Sequence, residues 1–285
     1  MVVALLLAAS SYGQSEQVQL RQRAEGGDAD AQTTLGLMYA TGKGMSPDYA
    51  EAARWLRKAA DQGHRSAQYN LAIMYDNGDG VSQDYAEAAK WLRKAADQGH
   101  SSAQSNLGVV YAKGKGVPRD YPEAAEWFRK AAVQGDATAQ TNLGVMYGTG
   151  QGVPQDYGEA QRWFRKAADQ GDDSAQTKLG LMYEDGKGVP KDLSEAVRWY
   201  RLAAEQGRAQ AQYLLGYSYA NGQGVPQDFL LAHKWYNLAA SRATGDDQKS
   251  FAESRDGIAA KMTPPQIAEA QRLAREWKPK TGSQK

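Results

Sequence analysis

The amino-acid sequence predicts an all-α fold, a solenoid of antiparallel helix pairs. Three observations predict it: an internal repeat of 36 residues, apolar residues at helical spacing in both halves of each repeat, and a glycine that recurs in the middle of the first half. A single helix pair cannot bury its apolar face alone, so consecutive pairs must stack to form a continuous core.

The repeat shows as a constant step between like residues. A tryptophan, a leucine followed by Gly or Ala, and a tyrosine four positions after that leucine each return every 36 residues. The three series are Trp55, Trp91, Trp127, Trp163, Trp199 and Trp235; Leu35, Leu71, Leu107, Leu143, Leu179 and Leu215; and Tyr39, Tyr75, Tyr111, Tyr147, Tyr183 and Tyr219. Six units that begin at Asp28 therefore fill residues 28–243 without a gap.

Each unit contains two predicted helices, the first helix and the second helix of that unit. In the first, Ala67, Leu71 and Tyr75 lie four residues apart and form one stripe. In the second, Trp91 and Ala95 have the same spacing. A glycine within a helix costs about 1 kcal/mol relative to alanine. Its return in five of the first helices therefore predicts a close crossing of two helices, at Gly36, Gly108, Gly144, Gly180 and Gly216.

Recurring residues also mark where the helices begin and end. An aspartate followed three residues later by a glutamate predicts a capping box at the start of the second helix. These pairs are Asp48/Glu51, Asp84/Glu87, Asp120/Glu123, Asp156/Glu159 and Asp192/Glu195. A left-handed glycine is expected after each second helix, and an aspartate N-cap restarts the chain in three units. These residues are Gly63, Gly99, Gly135, Gly171 and Gly207, with Asp28, Asp136 and Asp172.

The segments outside the repeats are predicted to cap the array or to target the chain. Residues 1–13 have the apolar run and small residues of a secretory signal peptide, although no Lys or Arg follows Met1. We therefore expect a periplasmic or secreted protein, or a cytoplasmic one if this segment is not cleaved. No other segment is long and apolar enough to cross a membrane.

The predicted caps are helical. Residues 14–27 are expected to form an N-terminal capping helix, and residues 244–277 form C-terminal capping helices, the first within SFAESRDGIAAKM after a polar turn at 244–247. The last helix has an apolar stripe that we interpret as a lid over the last repeat, with a membrane-surface helix as the alternative. Residues 278–285 are predicted to be a disordered tail.

Composition argues against several classes of function. Lys and Arg number 34 against 33 Asp and Glu, a net charge of +1, whereas nucleic-acid binders usually have a basic excess. The sequence has no cysteine, so it has no disulfide, thiolate metal site or cysteine nucleophile. Paired Arg-Lys dipeptides in four second helices, such as Arg57-Lys58, predict a solvated basic face, with contact to an anionic glycan or lipid as the alternative.

Three motifs suggest chemistry that the rest of the sequence does not support. The loop Gly150-Gln151-Gly152 resembles a phosphate cradle, but it lacks Gly-Lys-Ser/Thr and a preceding strand, and it recurs in all six units, so it predicts a turn. His64 and His100 occupy equivalent turns one helix-pair width apart, which is too far for a shared metal. Lys280-Thr281-Gly282 spells one box of serine β-lactamases without a nucleophile. The sequence therefore predicts no catalytic residue, no cofactor and no metal site.

The repeat motif carries a family resemblance. The pattern LGxMY…GxGVPxDYxEAxxWxRKAAxQG, as in residues 143–171, resembles the Sel-one-like repeat, a longer-looped relative of the tetratricopeptide repeat. The resemblance implies a right-handed superhelix with the first helices on its concave side. It also implies an adaptor or scaffold, often in a bacterial envelope or secreted. Some members of the family are stapled by disulfides, and this chain departs from them.

Recognition positions should vary between units while structural positions recur. The first-helix positions that vary are Thr33, Tyr69, Ser105, Thr141, Thr177 and Tyr213; Leu37, Ile73, Val109, Val145, Leu181 and Tyr217; and, near the helix end, Asp76, Lys113, Glu184 and Asp185. From these we select as partner-binding candidates Tyr69, Ile73, Asp76, Lys113, Glu184, Tyr213 and Tyr217.

These observations predict a monomeric, non-catalytic scaffold that binds a protein or peptide along its concave groove. We expect no nucleic-acid partner and no transmembrane segment. An envelope structural protein that organises polysaccharide or cell-wall machinery is the alternative. A hydrolase such as a β-lactamase has the least support.

Overall fold

The computed structural model describes residues 13–280, and every regular element in that range is an α-helix. Most of the predicted signal peptide and the last five residues of the predicted tail lie outside the described residues. The helices are α1 (Gln14–Glu25), α2 (Ala29–Thr41), α3 (Tyr49–Asp61), α4 (Arg65–Asn77), α5 (Tyr85–Asp97), α6 (Ser101–Lys113), α7 (Tyr121–Val133), α8 (Ala137–Thr149), α9 (Tyr157–Asp169), α10 (Asp173–Asp185), α11 (Leu193–Glu205), α12 (Ala209–Asn221), α13 (Phe229–Arg242), α14 (Gly245–Ala259) and α15 (Pro264–Glu276). The all-α solenoid of helix pairs is confirmed.

The helices form two compact units, one ending at Gln134 and the other beginning at Gly135. In the first unit, α2 packs on α3, α4 on α5 and α6 on α7, and these pairs stack through the α3–α4 and α5–α6 contacts. Helix α1 packs on α2 and buries Leu20 and Ala24 against Leu35. Over residues 13–280, no helix has both the length and the apolar character that crossing a bilayer would require.

The second unit repeats this arrangement and ends in two further helices. Its pairs are α8 with α9, α10 with α11, and α12 with α13, and both α14 and α15 pack on α13. Phe251 of α14 is buried against Ala239 and Ala240, and Trp277 after α15 meets Trp235 edge to face, with ring centroids 6.3 Å apart. These contacts cover the apolar surface that the last repeat would otherwise expose.

Helix α14 begins earlier than the sequence suggests. The residues expected to form a polar turn, 244–247, instead supply the N-cap Thr244 and the first turn of α14. Asp246 and Asp247 lie in that turn. Acidic side chains favour this place because the helix dipole is positive at its N-terminus.

Only one half of each predicted capping box forms. The Asp48 carboxylate accepts from the Glu51 backbone N–H at 3.0 Å, and the equivalent aspartates do the same. The predicted reciprocal bond, in which the glutamate carboxylate accepts from the backbone N–H of the aspartate, is wrong. The backbone N–H of Asp48 instead donates to the carbonyl of Tyr39 at 3.0 Å. Because the first helix already satisfies this donor, the Glu51 side chain is free to pair with Arg54 at 2.9 Å.

The glycine pair in each loop is a turn, as predicted. Gly78 adopts the left-handed conformation (φ +83°) that ends α4, and its N–H donates to the carbonyl of Met74. Gly80 also has a positive φ, and a Cβ added there would lie 2.1 Å from the carbonyl oxygen of Tyr49 in the preceding repeat. The second glycine is therefore needed for backbone-to-backbone contact between repeats, which leaves no room for a phosphate.

The recurring mid-helix glycines mark close helix crossings, as predicted. A Cβ on Gly144 would lie 2.8 Å from Phe164, and one on Gly180 would lie 2.5 Å from Tyr200. Both aromatic side chains are buried, and Tyr200 is 1% exposed. The missing side chain is what allows a large ring from the second helix to pack closely against the first.

Candidate binding surface

Each first helix has an apolar residue that is at least partly exposed two positions after the recurrent leucine. The residue four positions earlier, such as Thr177 before Leu181, is buried or partly buried, whereas the residue four positions later, such as Asp185, is exposed. The residues of this first-helix stripe are Leu37, Ile73 and Val109 in the first unit and Val145, Leu181 and Tyr217 in the second. Tyr217 is the most open of them, 38% exposed.

The structure separates the seven candidate residues by what they contact. Ile73 is partly exposed, and Lys113 and Tyr217 are exposed, so all three present surface to a partner. The other four make specific contacts within the compact unit to which they belong.

The two tyrosines that follow the recurrent glutamine are stacked on other rings. Tyr69 lies parallel to His100, with centroids 4.6 Å apart. Tyr213 stacks on Phe251 of α14 at 4.5 Å and also meets Tyr236 at 5.4 Å. The sequence did not indicate these contacts, because they join helices from different repeats or from the cap.

The two acidic candidates have basic or hydroxyl partners. Asp76 Oδ1 lies 2.8 Å from Lys115 Nζ in the loop of the next repeat. Glu184 accepts a hydrogen bond from the hydroxyl of Tyr200. Burial and this carboxylate together raise the pKa of Tyr200, so the phenol stays protonated and acts as a fixed donor.

The basic residues of the second helices are packed among aromatic rings rather than freely solvated. The Arg57 guanidinium donates to the hydroxyl of Tyr75 and lies 5.3 Å from the ring centroid of Trp91, both in the next repeat. The Arg165 guanidinium likewise lies 5.0 Å from the ring centroid of Trp199 in the next repeat. An i,i+4 ion pair forms between Arg165 and Asp169 at 3.0 Å. These arginines therefore link repeats through cation–π contacts, and less of the basic face is available to an anionic partner than expected.

The first two histidines are helix N-caps. His64 Nδ1 accepts from the backbone N–H of Ala67 at 3.2 Å, and its Nε2 lies 2.9 Å from Asp30 Oδ1. His100 caps α6 in the same way through Ala103. Within residues 13–280, no three His, Asp or Glu side chains come together as a metal site would require.

A cavity that sequence reasoning missed lies in the second unit. It has a volume of about 270 Å³ and is bordered by α8, α9, α10 and the loop after α10. Apolar side chains form its floor, and Tyr157, Lys178, Asp185 and Lys187 lie at its edge. Gly148 leaves more room here than the residues of the other five repeats, which have Ala, Asp or Glu at that position. That difference was the available signal in the sequence.

Comparison with known families agrees with this architecture. The Sel1 repeat model matches six segments, residues 29–64, 65–100, 101–136, 137–172, 173–207 and 209–243, which together cover more than half of the chain. The chain belongs to the Sel1 repeat family. The resemblance inferred from the repeat motif is therefore confirmed.

Two solved Sel1-type structures resemble this Sel1 repeat protein. One is a protective antigen present in uropathogenic Escherichia coli strains that displays an SLR fold, with 39% identity and a TM-score of 0.79 over 91% of this chain. This chain matches 56% of that protein's length. The other is a Sel1 repeat protein from Oxalobacter formigenes, with 32% identity and a TM-score of 0.70 over 82% of this chain and 89% of that one. A comparison with proteins of curated function gives no match.

Proposed function

We propose that this Sel1 repeat protein is a non-catalytic scaffold that binds a protein or peptide along the surface of its first helices. The observation that carries the proposal is the first-helix stripe. Each repeat leaves this position at least partly exposed, with Leu, Ile or Val in the first five repeats and Tyr217 in the last. A row of apolar residues left partly exposed in consecutive repeats is typical of a binding surface.

The second helices support the same assignment by contrast. Their basic residues contact aromatic rings and tyrosine hydroxyls of neighbouring repeats. The Arg93 guanidinium lies 4.9 Å from the ring centroid of Trp127 and donates a hydrogen bond to the hydroxyl of Tyr111 at 3.3 Å. A partner bound there would have to compete with contacts that hold the repeats together. The first-helix surface can be covered without breaking any of them.

We place this function in the bacterial envelope or outside the cell. The support is the apolar run from Val2 to Ala9 followed by small residues, which has the composition of a signal peptide. Fractionation of cells that express the full chain with a C-terminal tag tests the location. Recovery of all the tagged protein in the cytoplasm, with residues 1–13 retained, would contradict it.

Site-specific photo-crosslinking in the native cells tests the binding surface. A benzoylphenylalanine replaces Tyr217 on the first-helix stripe or, as a matched control, Leu202 on the second helix α11; the two side chains are 38% and 39% exposed. We expect a discrete crosslinked polypeptide from position 217 and none from position 202. Equal crosslinking from both positions, or from neither, would contradict a first-helix binding surface.

A further inference from the structure

The cavity in the second unit has an apolar floor and a basic edge. Val145, Phe164 and Leu181 belong to its lining, and Lys178 and Lys187 supply the positive charge. Two of these residues, Val145 and Leu181, are members of the first-helix stripe. The cavity is thus part of the surface to which we assign binding.

The equivalent position in the first compact unit is occupied by an ion pair next to an aromatic ring. There the Lys115 ammonium contacts the Asp76 carboxylate at 2.8 Å and lies 4.0 Å from the ring centroid of Tyr85. The aspartate comes from the end of one first helix, and the lysine comes from the loop of the next repeat. A carboxylate, an ammonium and an aromatic face therefore form one cluster.

Two repeats further on, the lysine and the aromatic ring remain, but the carboxylate is missing. Lys187 and Tyr157 stand at the positions equivalent to Lys115 and Tyr85, while Gly148 stands at the position of Asp76. All three residues line the cavity. The space therefore includes the place that the aspartate side chain fills in the first unit.

The charges around the cavity leave a net positive site. Lys187 Nζ is 2.8 Å from Asp185 Oδ2 in the same loop, a pair whose side chains are 52% and 48% exposed. Exposed ion pairs of this kind contribute little to stability. The hydrogen bond to Asp185 raises the pKa of Lys187, so the ammonium remains charged. Lys178 is half buried, with no hydrogen bond or ion pair found among residues 13–280.

We propose that this cavity binds an acidic side chain of a peptide partner, with the carboxylate beside Lys187 as Asp76 lies beside Lys115. An apolar side chain next to it in the peptide would cover Val145 and Leu181. Lys178 supplies the second positive charge. This inference rests on the proposed scaffold function and adds to it the chemistry of the ligand.

The equivalence between the units provides matched variants. A Cβ added at Gly148 would lie 3.8 Å from the Cβ of Ala160, an ordinary contact, and Gly148 has a helical φ. Gly148→Asp therefore places a carboxylate in the cavity without strain and should block it from within. Asp76→Gly is the reciprocal change, which removes the internal carboxylate from beside Lys115.

The experiment uses the full chain with its lysines reductively methylated with ¹³C, a change that keeps their charge. Signals of Lys115, Lys178 and Lys187 are assigned by Lys→Arg substitution at each position. The probe is the acetylated, amidated peptide Ala-Leu-Glu-Ala, and the matched probe has Gln in place of Glu. We expect the Glu peptide to shift the Lys178 and Lys187 signals, with binding about tenfold weaker for the Gln peptide, as loss of a charged hydrogen bond predicts.

The two variants should change which lysine responds to the Glu peptide. With Gly148→Asp the Lys187 response to the Glu peptide is lost, and with Asp76→Gly the Lys115 signal begins to respond. Equal binding of the Glu and Gln peptides, or a Lys187 response unchanged by Gly148→Asp, would overturn the inference. Binding only of a peptide that ends in Leu with a free C-terminal carboxylate would also overturn it.

Failure of this inference can be told apart from failure of the proposed function. A polypeptide captured by photo-crosslinking at position 217, together with lysines that do not respond to the Glu peptide, would overturn the carboxylate site alone.

Discussion

The side-chain amide of Gln98 donates a hydrogen bond to Oε1 of Gln68 at 2.8 Å. Gln68 in turn donates to the backbone carbonyl of Ala60 in the preceding repeat at 3.1 Å. One buried glutamine thus joins three helices, and the same pair recurs as Gln62–Gln32, Gln134–Gln104, Gln170–Gln140 and Gln206–Gln176. The series ends at Gln212, because Arg242 occupies the position where the next donor would stand.

Replacing a glutamine inside this series should cost more stability than replacing the last one. Gln68→Leu removes a buried donor and acceptor together and leaves their partners with fewer bonds, a loss of about 1–3 kcal/mol. Gln212 is fully buried, but its Oε1 has no hydrogen-bond partner within residues 13–280. Urea unfolding should therefore show a smaller loss for Gln212→Leu. Equal losses would mean that the amide pairs do not stabilise the array.

Two glycines in the same helix should respond to alanine in opposite directions. In α8, Gly144→Ala places a Cβ 2.8 Å from Phe164, and such overpacking costs about 1–3 kcal/mol. Gly148→Ala meets only an ordinary contact and should gain about 1 kcal/mol from helix propensity. Thermal melting measures both, and Gly144→Leu should give the larger loss. A melting temperature that Gly144→Leu does not lower would contradict the close crossing.

Acidification should weaken the C-terminal part of the second unit through His233. This side chain is 2% exposed, and its Nδ1 has no partner among the described residues. Burial, followed by the charge of Arg255, lowers the pKa of His233, and Asp256 opposes the shift. A lowered folded-state pKa means that the unfolded chain binds the proton first, so the contribution is present above the ordinary value of about 6.5 and is lost as pH falls below it.

Melting between pH 7.5 and pH 5.5 tests this prediction. The control variant is His233→Val, since Val197 holds the equivalent buried position one repeat earlier. The melting temperature of the unsubstituted chain should fall more steeply with decreasing pH than that of the variant. Burial also lowers the pKa of His100, so some pH dependence should remain. If the melting temperatures of both proteins fell equally with decreasing pH, His233 would not be the cause of the acid sensitivity.

Local signals in the sequence predicted most of the fold, because each repeat uses the same residues for the same task. Gly144, Gly78 and the Asp48 cap were predicted from recurrence and backbone rules that operate within a few residues. The fate of the Asp48 backbone N–H was predicted wrongly, because the Tyr39 carbonyl that accepts its hydrogen bond belongs to another helix.

The candidate site was less predictable because it depends on contacts between repeats. Ile73, Lys113 and Tyr217 lie on exposed or half-exposed surface. Tyr69 and Tyr213 stack on rings far away in sequence, which variation between units does not reveal. The cavity arises from Gly148 in one repeat and Lys187 in the next, so neither position indicates it alone.

We propose that the varying first-helix residues bind a partner while the recurring residues hold the fold. The most direct measurement is the affinity of the purified full chain for the polypeptide captured at position 217, determined by calorimetry for the unsubstituted protein, Tyr217→Ala and Leu202→Ala. We expect the affinity to be at least about tenfold weaker for Tyr217→Ala, as for a tyrosine at a binding hot spot, with an unchanged melting temperature and no effect of Leu202→Ala. Unchanged affinity for Tyr217→Ala, or an equal loss for Leu202→Ala, would contradict it.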